Sequence, residues 1–190
     1  MYDIKWFSCY VYYHTTDDSS LSASLLIFHR DRVTMPLQTT VYNGQSTAQP
    51  ENPILSFYRT YALEFKDSRS TAKPSDFYAP NSVLTNIDNT TITGAQAIWD
   101  YYIQLYGPFQ VEHEVVSITV VTDTESGNNT LNGEFLTILA RRDGKGTVKI
   151  PQAFVYEIRE AEVGQGVGGL QIWAVRCYYD RSLLKEAAGL

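Results

Sequence analysis

Apolar residues recur between positions 52 and 65 at the spacing of one helix face, with Ile54, Phe57, Tyr58, Tyr61 and Phe65 on a common stripe. Asn52 followed by Pro53 supplies a cap and a first-turn proline, so an amphipathic helix is expected to begin there. Lys73-Pro74-Ser75-Asp76-Phe77-Tyr78 ends that run and opens a short turn or helix. Residues 82 to 87 read as a strand, Asp88-Asn89 as a turn, and residues 90 to 93 as a brief second strand. Thr93 and Gln96 have the spacing of a capping box, and Ile98, Tyr102 and Leu105 then follow one face until Gly107-Pro108. A second helix of about three turns is predicted.

After Pro108 the period becomes two. Strands are expected over residues 110–122, 130–142, 147–160 and 170–180, separated by turn-forming clusters at 125–129, 143–146 and 164–169. Four long strands joined by hairpin loops predict an antiparallel sheet. The glycine cluster at 164–169 is followed by a strand and lacks the helix that a phosphate-binding loop needs behind it. It reads as a hairpin.

The first 50 residues have no sustained period. They mix Tyr10, Tyr12 and Tyr13 with Ser, Thr and Asp, and carry one apolar patch, Leu25-Leu26-Ile27-Phe28, that suits a short strand or a short helix. Met35-Pro36-Leu37-Gln38 looks like an ordinary protein start, so the first 34 residues read as an appendage or as a gene-model extension. The expected organisation is an irregular N-terminal extension over 1–50 and one domain over 51–190.

The order helix, short helix, two short strands, helix, four long strands resembles the nuclear transport factor 2-like superfamily, particularly its SnoaL-like polyketide cyclases, ketosteroid isomerases and scytalone dehydratases. The closing run from Trp173 to Leu183, an apolar strand followed by Tyr179, Asp180 and a short tail, is similar to a frequent ending in that group. The resemblance spans residues 52 to 184. It implies an α+β cone, in which a curved antiparallel sheet wraps around the N-terminal helices and leaves an apolar pocket open at one end. It also implies a cofactor-independent cyclase, isomerase or dehydratase acting on an apolar polyketide- or terpenoid-like substrate. The same cone serves elsewhere as a dimeric binding or protein-interaction module, and a homodimer through the sheet face is the expected assembly.

Composition narrows the partners. With 190 residues, 44% hydrophobic and 13% aromatic, the chain can bury one substantial core. Fifteen basic against 21 acidic residues leave a net charge of −6 with no basic block, which argues against nucleic acid. Cys9 and Cys177 are the only cysteines and lie far apart, so neither a metal cluster nor a disulfide framework is expected, and a reducing, cytoplasmic setting fits. The N-terminus lacks a signal-peptide pattern, and no run approaches the ~18 apolar residues of a membrane span. Neither a metal nor an organic cofactor is expected.

Candidate chemistry centres on His113. It sits in Val111-Glu112-His113-Glu114-Val115-Val116, whose branched residues predict a strand, and imidazole is the side chain that titrates nearest neutrality. By alternation Glu112 and Glu114 face away from it. The resemblance places His113 where scytalone dehydratase-like members carry a catalytic His, but the next strand, residues 131–139, lacks their second His. Gln152 shares a strand face with Val148, Ile150, Phe154 and Tyr156, an amide among apolar neighbours that needs either a ligand or a protein partner. Thr137, between Phe135 and Leu139, has the same two readings. Tyr58 and Tyr61 either aim hydroxyls at the cone mouth, Tyr61 as a donor to a developing oxyanion, or are core with a wet tip. Asp67 is a catalytic candidate by analogy alone, beside Lys66 and Arg69, which suggest a solvated helix end. Trp99 and Trp173 are expected as pocket wall or core, and Tyr58, Trp99, Phe135, Gln152, Phe154 and Trp173 as the residues that contact substrate.

Overall fold

Asn52 caps the first helix as its place before Pro53 predicts. Its Oδ1 accepts from the Ile54 amide at 2.8 Å and the Leu55 amide at 3.2 Å, two of the donors a helix start leaves unpaired. In the computed structural model, which describes residues 37–44, 51–67 and 69–188, this helix, α1, spans Pro53–Asp67 and buries the expected stripe together with Leu55. The described residues fall in one compact unit, Thr34–Leu190. A 3-10 turn at Pro74–Asp76 leads into strand β2, Tyr78–Thr85, then β3, Thr91–Thr93, and helix α2, Ala95–Tyr106. Four long strands follow: β4, Phe109–Asp123; β5, Asn129–Arg141; β6, Thr147–Glu160; and β7, Leu170–Tyr179. They pair in sequence order, each antiparallel to the next, as the hairpin loops predict.

Four features depart from the sequence reading. A strand, β1, forms at Leu37–Asn43 inside the stretch expected to be irregular, and pairs antiparallel with β4. Its side chains are exposed or half-buried, so backbone hydrogen bonds rather than a buried face define it, and a hydrophobic period does not reveal it. The patch at 25–28, Met35, His14, His29 and Cys9 lie outside the described residues. Second, β2 runs parallel to β7, so the sheet is mixed rather than wholly antiparallel. No hairpin joins these two strands, and nothing local sets their relative direction. Third, the capping box at Thr93 does not form: Thr93 ends β3, Gly94 occupies the cap with φ 101°, and Gln96 Nε2 donates to Asp100 Oδ1 instead. Fourth, the tail contains helix α3, Arg181–Ala188, opened by Asp180, whose Oδ1 accepts from the Ser182 amide at 2.8 Å.

The strand order is β1-β4-β5-β6-β7-β2-β3, a curved seven-stranded sheet that does not close. Its inner face and the apolar faces of α1 and α2 share one core, rich in rings from Tyr58, Tyr61, Phe65, Phe77, Trp99 and Phe135. No described helix is long and apolar enough to cross a membrane.

Two details of the sheet shape this core. On β4, Phe109, Val111 and His113 point inward, yet so do Ile118 and Val120, which have the opposite parity. The change follows from a bulge between Val115 and Ser117, where Val116 stands unpaired with β5. On β5, Gly133 occupies an inward position opposite Phe154, and a Cβ there would overlap the buried Phe135 ring. Gly133→Ala should therefore cost about 1–3 kcal/mol of stability, the usual penalty for overpacking, measurable as a lowered urea midpoint with unchanged slope.

Candidate active site

His113 is held by a chain of buried polar groups drawn from three strands and a helix. His113 on β4 lies directly opposite Thr137 on β5, and Thr137 lies opposite Ile150, one pleat from Gln152 on β6. The Thr137 hydroxyl donates to Gln152 Oε1 at 2.6 Å, and Gln152 Nε2 donates to the Tyr106 hydroxyl at 3.3 Å at the end of α2. Since Thr137 spends its only proton on Gln152, its lone pairs face His113 Nδ1, 2.9 Å away. In this arrangement Nδ1 carries the imidazole proton, and Nε2 presents a lone pair with no hydrogen-bond partner among the described residues.

The ring separates two spaces. Inward is a cavity of about 20 Å³, room for a single water, bounded by His113, Tyr58, Tyr61, Tyr102, Tyr106 and Phe154 among others. Outward is a cleft of about 520 Å³ between α1 and the strands β1 and β4. Tyr58, Ala62 and His113 border both. The expected apolar pocket inside the cone is thus filled by aromatic side chains, and the ligand-sized space lies outside it, against α1.

Burial sets the protonation states. Desolvation pushes the His113 imidazole down from 6.5 to about 4, so it is neutral at pH 7. The phenols move the other way: Tyr61 is pushed up to about 12 by burial, and Tyr58, Tyr78, Tyr102, Tyr106 and Tyr156 are raised by the same cause. All remain donors across the physiological range. Tyr61 already shares a hydrogen bond with the Tyr78 hydroxyl at 2.8 Å.

The other expected residues divide into two groups. Gln152 and Thr137 face the protein rather than a ligand: both are buried and satisfied by the chain to His113. Phe135 supports the imidazole edge-on, with ring centroids 6.0 Å apart, and stacks on Tyr58 at 5.8 Å. Phe154 borders the small cavity. Trp99 is core, stacked on Phe77, with Nε1 donating to the Arg69 carbonyl at 2.7 Å. Asp67 is exposed at the end of α1, in a separate depression with Arg69 and Arg142, and does not border the His113 cleft. Trp173 is also apart from the site: its Nε1 donates to the Glu160 carbonyl and Arg159 lies over its ring. Glu112 and Glu114 face outward as alternation requires, paired with Lys66 at 3.9 Å and Lys149 at 3.7 Å.

Sequence reasoning passed over Tyr106, Ala62 and Arg59. Tyr106 lies one turn beyond Tyr102 on the α2 face, a spacing that signalled its burial but not its link to Gln152. Among the described residues no three of His, Cys, Asp and Glu come together as metal ligands.

No protein-family model and no curated protein matches this chain. Solved structures do. An NTF2-like protein of unknown function in nutrient uptake from Rhodospirillum rubrum superposes with a TM-score of 0.51 at 13% identity, over 68% of this chain and 98% of its own. The chain has the nuclear transport factor 2-like fold. A protein with a ketosteroid isomerase-like fold from Catenulispora acidiphila shares this cone at a TM-score of 0.50 and 14% identity, over 74% of this chain and 95% of its own. So does a putative calcium/calmodulin dependent protein kinase II association domain from Xanthomonas campestris, at 0.53 and 15%, over 70% and 93%. At such identities the nuclear transport factor 2-like cone is a shared scaffold, and function must be argued from its site.

The half-buried imidazole gives the cone a pH-dependent stability. Unfolded, His113 titrates near 6.5; folded, near 4. Between those values the unfolded chain holds the extra proton, so this contribution is fully present above about pH 6.5 and is lost as pH falls toward 4. It amounts to at most roughly 3 kcal/mol, reduced by solvent screening of the half-buried ring. Urea unfolding from pH 4 to 7 should show stability rising with pH, and His113→Gln should flatten that rise.

Proposed function

We propose that this chain is a cofactor-independent enzyme acting on small apolar molecules by acid/base catalysis, with His113 Nε2 as the base. The observation that carries this reading is the chain from Tyr106 through Gln152 and Thr137 to Nδ1. It orients the ring, selects one tautomer and leaves the other nitrogen's lone pair at the junction of cavity and cleft. A neutral imidazole this weakly basic removes only a proton that is already acidified, such as one beside a carbonyl. The oxyanion that forms needs a donor, and Tyr58, the buried phenol that borders the cleft as well as the cavity, supplies it. Tyr61, one turn further along α1, borders only the single-water cavity and is bonded to Tyr78. Thr137, Gln152 and Tyr106 are positioning residues. Cyclisation, isomerisation and dehydration all begin with such a proton removal, and a largely apolar cleft bordered by Tyr42, Tyr58, Leu63 and Val115 suits a polyketide- or terpenoid-like skeleton.

Proton abstraction can be read without knowing the product. In D₂O, the wild type should catalyse deuterium incorporation beside the carbonyl of at least one member of a panel of apolar enolisable ketones. His113→Gln should slow that exchange on the order of 10²-fold while retaining the native circular dichroism spectrum. The wild-type rate should fall as pH drops through about 4, because the base must be unprotonated. Equal exchange by wild type and variant would remove His113 from the mechanism.

A second reading draws on the outer sheet face, where β5, β6 and β7 carry half-buried Leu136, Ile138, Val155 and Ala174 beside exposed Tyr178. Such a surface suits a homodimer, in which the cone acts as an association module. Sedimentation of the wild type should give a dimer and Val155→Glu a monomer; a wild-type monomer at micromolar concentration rejects this assembly.

A further inference from the structure

The cleft beside His113 has a wall that the core does not require. Arg59, Leu63 and Lys66 follow one another along the outer side of α1 and line the cleft with Ala62, across from Tyr42 and Val115. Most of this lining is apolar. The charged groups at its rim are Arg59, Lys66 and Glu112, two cations against one acid. Lys66 and Glu112 are 3.9 Å apart with roughly half of each side chain exposed, a loose pair. Arg59 has no ion pair or hydrogen bond among the described residues. A locally positive rim is notable on a chain whose net charge is −6, because the overall field repels anions and only a local group can select one.

We propose that the cleft takes an apolar acid: a ring-bearing or alkyl body lying along Leu63, Tyr42 and Val115, with a carboxylate held by Arg59 and, secondarily, by Lys66. A guanidinium fork matches a carboxylate with two parallel hydrogen bonds, and an aliphatic wall beside it excludes competing water. The space, about 520 Å³, is that of a drug-sized ligand. With the acid at the rim, the far end of the molecule lies against His113 and Tyr58. That placement rests on the reading of His113 as the base; the preference for an acid does not.

Two probes with one body separate these claims: 1-pyrenebutyrate and its neutral alcohol, titrated by fluorescence against the full chain at low salt. The wild type should bind the acid about three- to tenfold more tightly than the alcohol, a preference that weakens as salt is raised. Arg59→Gln should remove most of that preference without changing the affinity for the alcohol, and Arg59→Gln with Lys66→Gln should remove all of it. Equal affinity of the wild type for both probes overturns the proposal. So does failure of either probe to bind, or a preference that survives in the double variant. Loss of deuterium exchange in His113→Gln without any acid preference would sink this proposal and leave the catalytic reading standing. Acid preference with unchanged exchange in His113→Gln would do the reverse.

Discussion

One extra residue in β4 decides which side chains this cone encloses. A strand of 15 residues has a strict period of two, and without the bulge at Val116 the run that turns His113 inward would turn Ile118 and Val120 outward. The bulge lets both halves of β4 face the core. It is also where β1 ends: the Gly44 amide donates to the Val116 carbonyl at 3.2 Å, and a Cβ on Gly44 would collide with the Val115 carbonyl. The inward path of His113, the end of the edge strand and the shape of the cleft between them have a single local cause.

Inside the cone most buried polar groups answer one another, Ser82 Oγ being the one buried side-chain oxygen among the described residues without a partner. Tyr61 meets Tyr78, Gln152 meets both Thr137 and Tyr106, and buried Gln171 ties the β6–β7 connection to the turn before β2 by donating to the Ser75 carbonyl at 2.6 Å and accepting from the Glu162 amide. Isolated, each would cost about 1–3 kcal/mol in lost solvation. The same desolvation that keeps the phenols protonated keeps the imidazole neutral. The protonated phenols and the neutral imidazole are therefore set apart by side-chain type under one common environment, and no neighbouring charge is required.

Much of this was legible in the sequence because it rests on period and punctuation. The stripe from Ile54 to Phe65, the proline-led start at Pro53 and the glycine-rich turns between long strands each have a local physical signature, and the expected strands match β4 to β7 within one or two residues. What escaped has a non-local origin. β1 is held by its neighbour's backbone, β2 takes its direction from β7, and Thr93 loses its capping role because the sheet claims it. For the site, alternation placed His113, Thr137 and Gln152 on inward faces, but pairing register alone brings them together, and register between strands is not written in any one of them. Asp67 and Trp173 were drawn in by analogy and aromatic content, neither of which encodes position.

The chain from Tyr106 to His113 also bears on how such a sequence can change over time. Gln152 answers to hydroxyls on a strand and on a helix, so among the uncharged residues no single replacement has the length and the two polar atoms to keep both contacts, and most routes away from it pass through a protein with an orphaned buried hydroxyl. Drift at these four positions is therefore coupled. A descendant that loses the imidazole is released from Thr137, Gln152 and Tyr106 together, and its cone can be refilled with hydrocarbon, so the four residues are expected to change as a set.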